Sequence, residues 1–220
     1  MHTSKFCGWF ALLAAVIVTG TAQAACVTAA STVTCTGGTA AHVATSTTAG
    51  VANSGTSYPA TIAVSGVPGG STVATVTLRL NGYTARSSNT SGNCASILCG
   101  SSRDAGILLQ SPDGRNLQVL RAVGTAGSNA SAITVTIQDG GTVMPNQSGT
   151  GVGAFNATGT YRPTANVGRV GVNPSYSPGP AIINNASDSL TAPIANQTLN
   201  GVFVGASVNG TWNEIGRAHV

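Results

Sequence analysis

The sequence predicts an all-β protein, an antiparallel β-sandwich, and three observations carry that prediction. Short segments alternate apolar and polar residues with a period of two, as in Val76, Leu78 and Leu80 against Thr75, Thr77 and Arg79. Turn dipeptides and tetrapeptides punctuate these segments at short intervals. The chain is rich in Gly, Thr, Ser, Asn, Ala and Val, and Glu, Lys and Leu are scarce, which disfavours helix.

The N-terminus reads as a secretory signal peptide over residues 1–24. Lys5 opens it, Phe6 to Val18 is apolar apart from Gly8, and Ala22-Gln23-Ala24 is a small-x-small cleavage site. The apolar run falls short of the ~20 residues that span a bilayer, and no later segment is a candidate membrane span. Gln23 stands where a lipoprotein signal has a large aliphatic residue, which argues against lipidation at Cys26. The expected location is extracellular or at the cell surface.

Residues 25–57 are expected to form a hairpin, Cys26 to Cys35, and a Thr/Ser/Gly-rich linker. Residues 58–213 carry the sandwich. Ala60 to Val64 is a short strand, and Val67-Pro68-Gly69-Gly70 turns it. Thr72 to Asn81 is the clearest strand, closed by the turn dipeptide Asn81-Gly82. Ser87 to Arg103 is a polar excursion carrying Cys94 and Cys99. Ile107 to Leu109 and Leu117 to Val123 flank Ser111-Pro112-Asp113-Gly114, so this stretch is expected to be a β-hairpin. Ala132 to Asp139 is a strand with Ile133, Val135 and Ile137 inward, turned by Asp139-Gly140-Gly141. Gly159 to Pro163 is an edge strand or strand entry, and Asn166 to Pro180 a long surface loop. Phe203 and Trp212 belong to the last ordered stretch, as core anchors rather than a ligand platform.

Residues 214–220 do not fit this pattern. Ile215-Gly216-Arg217-Ala218-His219-Val220 is also what a common sequencing adapter encodes. We therefore expect a non-native tail from Glu214, a natural reading frame that runs on past Asn213, and a sandwich incomplete at its C-terminal strands. A truncated sheet should leave an open edge near Phe203 and Trp212.

Charge and cysteines bound the chemistry. Between Ala25 and Asn213 stand seven Arg, no Lys, four Asp and no Glu, and the arginines are scattered. A nucleic-acid binder needs a basic patch or stripe, so no nucleic-acid partner is expected. Cys26, Cys35, Cys94 and Cys99 remain after cleavage. An even count in an exported chain favours disulfides, with three connectivities open. Cys26–Cys35 with Cys94–Cys99 is preferred because each pair brackets a short loop, worth about 2–3 kcal/mol each.

The order of features resembles the proprotein convertase P-domain (P/Homo B domain), in the divergent form of exported bacterial proteins. Ile62-Ala63-Val64-Ser65-Gly66-Val67-Pro68-Gly69-Gly70 with Val76 to Gly82 is similar to its opening strands. Asp104 to Gly114 is similar to its D-L-x-I-x-L-x-S-P-x-G hairpin, Thr160 to Pro163 to a G-x-Y-x-P segment, and Phe203 to Trp212 to an F-x-G-x-x-x-N-G-T-W run. The resemblance covers about Tyr58 to Asn213. It departs where Tyr83-Thr84-Ala85 and the cysteine excursion replace a histidine, and where Gly106 replaces an acidic residue. It implies a jelly-roll, galactose-binding-like sandwich and an association with subtilisin-like serine endopeptidases.

Catalysis by this chain itself is not expected. His42 is the only histidine between Ala25 and Asn213 and lies in the Thr/Ala tract, and there is no G-x-S-x-G elbow. No cofactor is expected, calcium being the one candidate. Its ligands would be Asp104, Asp113 and Asp139, at turns or strand ends. The favoured reading gives those carboxylates to turns and caps. The expected function is a non-catalytic accessory or binding module with an extracellular or cell-surface partner. The alternatives are a protease accessory domain and a structural or adhesive repeat.

Overall fold

The structure, a computed structural model, describes residues 25–29, 31–36, 59–85, 105–125, 129–146, 153–166, 176, 179–187 and 193–218. The expected signal peptide, the expected linker with His42, the preferred Cys94–Cys99 pairing and Asp104 fall outside these residues.

The chain is all-β. Strands β1 (Ala25–Ala29) and β2 (Thr32–Thr36) form a separate antiparallel hairpin. Cys26 faces Cys35 across it, and the two are joined by a disulfide. The expected stapled hairpin is therefore present. β3 (Ala60–Val64), β5 (Ala105–Gln110), β6 (Asn116–Arg121), β9 (Thr164–Ala165) and β10 (Gly210–Ala218) make a five-stranded sheet in the order β3-β10-β5-β6-β9. β4 (Leu78–Ala85), β7 (Ala130–Thr142) and β8 (Gly159–Tyr161) make a three-stranded sheet in that order. Among the described residues one short helix, α1 (Leu199–Phe203), follows a turn of 3-10 helix at Ala195–Gln197.

One core joins the two larger sheets. It takes Ile107, Leu109, Leu117, Val119 and Leu120 from the five-stranded sheet and Ile133, Val135 and Ile137 from the three-stranded one. Val76, Leu78 and Leu80 pack against it while Thr75, Thr77 and Arg79 are exposed, as the alternation predicts. Phe155 is fully enclosed, with the rings of Tyr83 and Tyr161 edge-on at 5.8 and 5.1 Å. Phe203 and Leu199 of α1 close the core, and the Trp212 ring lies 5.5 Å from Phe203.

Several expectations need correction. The strand expected from Thr72 begins at Leu78. Upstream, Val73 bonds Ala206 and Gly205, and the Val76 amide donates to Asn200 Oδ1, so this stretch serves the loop around α1. Asn81-Gly82 does not close the strand. Gly82 takes φ +72° inside β4, and the register with β7 shifts between Leu80 and Tyr83, so the dipeptide makes a bulge. β7 likewise runs through Asp139-Gly140-Gly141 to Thr142. Tyr161 pairs with both Ile137 and Thr142, and a Cβ on Gly141 would sit 2.2 Å from the Tyr161 carbonyl carbon, so only glycine lets β8 come this near. The sheets are not wholly antiparallel: β6–β9 and β7–β8 are parallel. The long connection from Thr142 to Gly159 supplies the crossover that a parallel pair requires. Finally, the stretch around Phe203 is helical, because Thr198 caps it by accepting from the Gly201 amide.

The open edge expected near Phe203 and Trp212 is not there. Phe203 is fully buried, and β10 is laddered to β3 through Gly210–Glu214 and to β5 through Asn213–Ala218. Glu214 is thus paired on both sides, and Ile215 to Ala218 are paired with β5. The ladder uses backbone groups, so the pairing is indifferent to most of the side chains along it. Ile215 is the apolar side chain there that is buried.

Candidate functional site

The β5–β6 hairpin is where the polar side chains gather. Its tip, Ser111 to Gly114, is tied by the Gly114 amide donating to the Ser111 carbonyl at 3.0 Å. The Ser111 hydroxyl donates to the Asp113 carboxylate, and the Arg115 Nε lies 3.1 Å from its other oxygen. The Ser111 hydrogen bond holds the Asp113 carboxyl below its ordinary range against the opposing effect of burial, and the Arg115 charge adds a lesser pull in the same direction as Ser111. Arg115 also reaches across to the end of α1. Its guanidinium donates to the carbonyls of Val204 at 2.8 Å and Val202 at 3.3 Å. A cation on the last carbonyls of a helix complements their partial charge.

Asp139 holds the other end of α1. Its two carboxylate oxygens accept from the Leu199 amide at 2.7 Å and the Asn200 amide at 2.8 Å. The first amides of a helix lack partners within it, and a carboxylate there satisfies them. The two described candidate calcium ligands are thus each occupied by donors of the chain, one in a turn and one in a cap. Among the described residues no three His, Cys, Asp or Glu side chains converge as a metal site would require. Asp104 lies outside those residues.

The outer face of β5, β6 and β10 carries a second polar group, which the sequence reading missed. All six residues of β6 are buried. Leu117 and Val119 turn to the main core, while Gln118 turns outward and donates its amide to the Tyr176 hydroxyl. Leu108, Ile215 and Tyr176 pack beside it, with Ile183 against them. The 182–186 segment lies along β6: the Gln118 amide donates to the Asn184 carbonyl at 2.7 Å, and Asn116 exchanges side-chain bonds with Ile182 and Asn184. Arg121 is buried on the same strand, and desolvation lowers its guanidinium pKa against the opposing influence of Tyr176. The alternation of Asn116 and Gln118 with Leu117 and Val119 was a legible sign of two distinct faces, and it breaks at Leu120-Arg121, where the register with β5 shifts. That the polar face would be covered depends on a loop far along the chain.

The arrangement does structural chemistry. Arg115 and Asp139 fasten the α1 loop to the β5–β6 turn and to β7, Asn116 and Gln118 fasten Tyr176 and residues 182–186 to β6, and the carboxylates of Asp113 and Asp139 are engaged where they stand. No family model, curated protein or solved structure matches the chain.

Proposed function

We propose that this chain is a non-catalytic β-sandwich module of an exported bacterial protein, which binds, stabilises or presents an extracellular or cell-surface partner. The observation that carries the reading is the use of Asp113 and Asp139: each satisfies donors of its own fold, in a turn and in a helix cap. Side chains committed in this way build a scaffold. The scattered arginines favour a partner other than nucleic acid. Among the described residues no helix is long and apolar enough to cross a membrane. The purified chain should leave general peptide substrates uncleaved. Turnover that a serine-directed inhibitor abolishes would overturn the reading.

A second reading makes the chain a P-domain-like accessory module, of the jelly-roll type, beside a subtilisin-like endopeptidase. It is supported by the β5–β6 hairpin turning at Ser111-Pro112-Asp113-Gly114, where the resemblance sets it. Reading an independent copy of the gene past Asn213 separates the alternatives. An in-frame catalytic domain favours the accessory role, and further sandwich repeats or an anchor favour a structural or adhesive one. Neither reading requires a cofactor. Adding calcium or a chelator is expected to leave the melting temperature unchanged, and a clear rise with calcium would restore Asp104, Asp113 and Asp139 as ligands.

A further inference from the structure

Five Asx-Gly pairs occur in the chain: Asn81-Gly82, Asp113-Gly114, Asp139-Gly140, Asn200-Gly201 and Asn209-Gly210. Each is a potential site of spontaneous backbone cyclisation, because glycine leaves its own amide nitrogen open to attack by the preceding side chain. Four are locked by the fold. Asp113 is held by Ser111 and Arg115, and Asp139 by the Leu199 and Asn200 amides. Asn200 accepts from the Val76 amide at 3.4 Å, and the Gly201 amide is committed to Thr198 Oγ1 at 3.0 Å. Asn209 is clamped at both ends, donating to the Val67 carbonyl at 2.8 Å and accepting from the Val67 amide at 3.2 Å. Gly210 is walled by Pro112.

Asn81-Gly82 differs in having no such lock. Both residues are exposed, and among the described residues the Asn81 carboxamide has no hydrogen-bond partner. The pair sits in the gap of the β4–β7 register between Leu80 and Tyr83, on an edge strand. No atom lies within 4 Å of the position a Gly82 Cβ would take. We propose that Asn81 is a site of selective, non-enzymatic deamidation in the folded protein.

In the reaction the Gly82 amide nitrogen attacks Asn81 Cγ. A ring N–Cγ bond forms and the Cγ–Nδ2 bond breaks. The nitrogen leaves as ammonia, carrying the proton lost from the Gly82 amide. Water then adds to either ring carbonyl, opening the succinimide to aspartate or to isoaspartate. Solvent water is the only co-reactant. The product adds a negative charge to a chain with few carboxylates, and in the isoaspartate form one further backbone carbon to the bulge.

The test is to age the folded chain at mildly alkaline pH and map its peptides by mass and by isoaspartate-specific methylation. Asn81 is expected to convert at least about tenfold faster than Asn200 or Asn209, the locks on those two each involving at least one pair of hydrogen-bonded groups. N81Q should remove the product. In urea the three sites should convert at similar rates. Comparable conversion of Asn209 or Asn200 in the folded chain would overturn the inference, as would an intact Asn81. A lead for Asn81 that persists in urea would also overturn it, since that would assign selectivity to local sequence.

Discussion

Asp139 ties β7 to α1, since one carboxylate serves two helix amides contributed from sixty residues away. Asp139→Ala should cost about 1–2 kcal/mol in urea denaturation, with Asp139→Asn losing less because it keeps one acceptor. Asp113 is the residue for a pH test. Its carboxyl is held low, so its contribution to stability is fully present above the ordinary carboxylate pKa. That contribution is lost as pH falls through the lowered value. It is small, because the pair with Arg115 is solvent-exposed. Ser111→Ala should move the Asp113 titration upward in NMR, since the Ser111 hydroxyl is the largest cause of the shift. The sequence showed both aspartates as turn or cap acceptors from their Gly neighbours alone. It could not show which amides they would cap, because Asp139 and α1 meet only through tertiary contact.

At the level of elements, the instructive region is the paired irregularity of β4 and β7. Gly82 bulges on one strand, and on the other Ala132 takes φ 52°, in the left-handed region that non-glycine residues avoid. Thr84 joins the two, donating to the Gly82 carbonyl and accepting from the Ala132 amide at 3.1 Å. Ala132→Gly should therefore stabilise by about 0.5 kcal/mol, the relief of the left-handed strain exceeding the entropy glycine adds to the unfolded chain. Thr84→Val should destabilise, because it leaves the Ala132 amide without that acceptor; thermal melts of both variants check the pair. Gly141→Ala should cost about 1–3 kcal/mol, since its Cβ would meet the backbone of Tyr161. The strands themselves were legible where period-two alternation ran against the core, as in Ile133, Val135 and Ile137, although the same alternation before Leu78 belongs to a loop. The dipeptides Asn81-Gly82 and Asp139-Gly140 misled for one physical reason: a left-handed or open backbone position suits a bulge as well as a reversal.

Across the whole molecule, the β1–β2 hairpin stands apart. None of its residues belongs to the core, and its strands pair only with each other. Cys26 Sγ touches β3 at the Ala63 carbonyl, 3.6 Å away. Replacing Cys26 and Cys35 together by serine should free the hairpin and leave the main melting transition nearly unchanged, with lost amide protection confined to residues 25–36 in hydrogen exchange. The all-β class was legible in composition and alternation. The order of the sheets was not, because it depends on which strands neighbour one another rather than on what each contains.

The place of β10 bears on when this protein can fold. β3 comes first in the five-stranded sheet and β10 last, yet β10 is the strand that joins β3 to β5. Until those residues have left the ribosome, β3 has no ladder partner. Pairings of such long sequence separation form slowly, since a large loop must close before any contact rewards it. The chain is thus kept from finishing its sheet during synthesis.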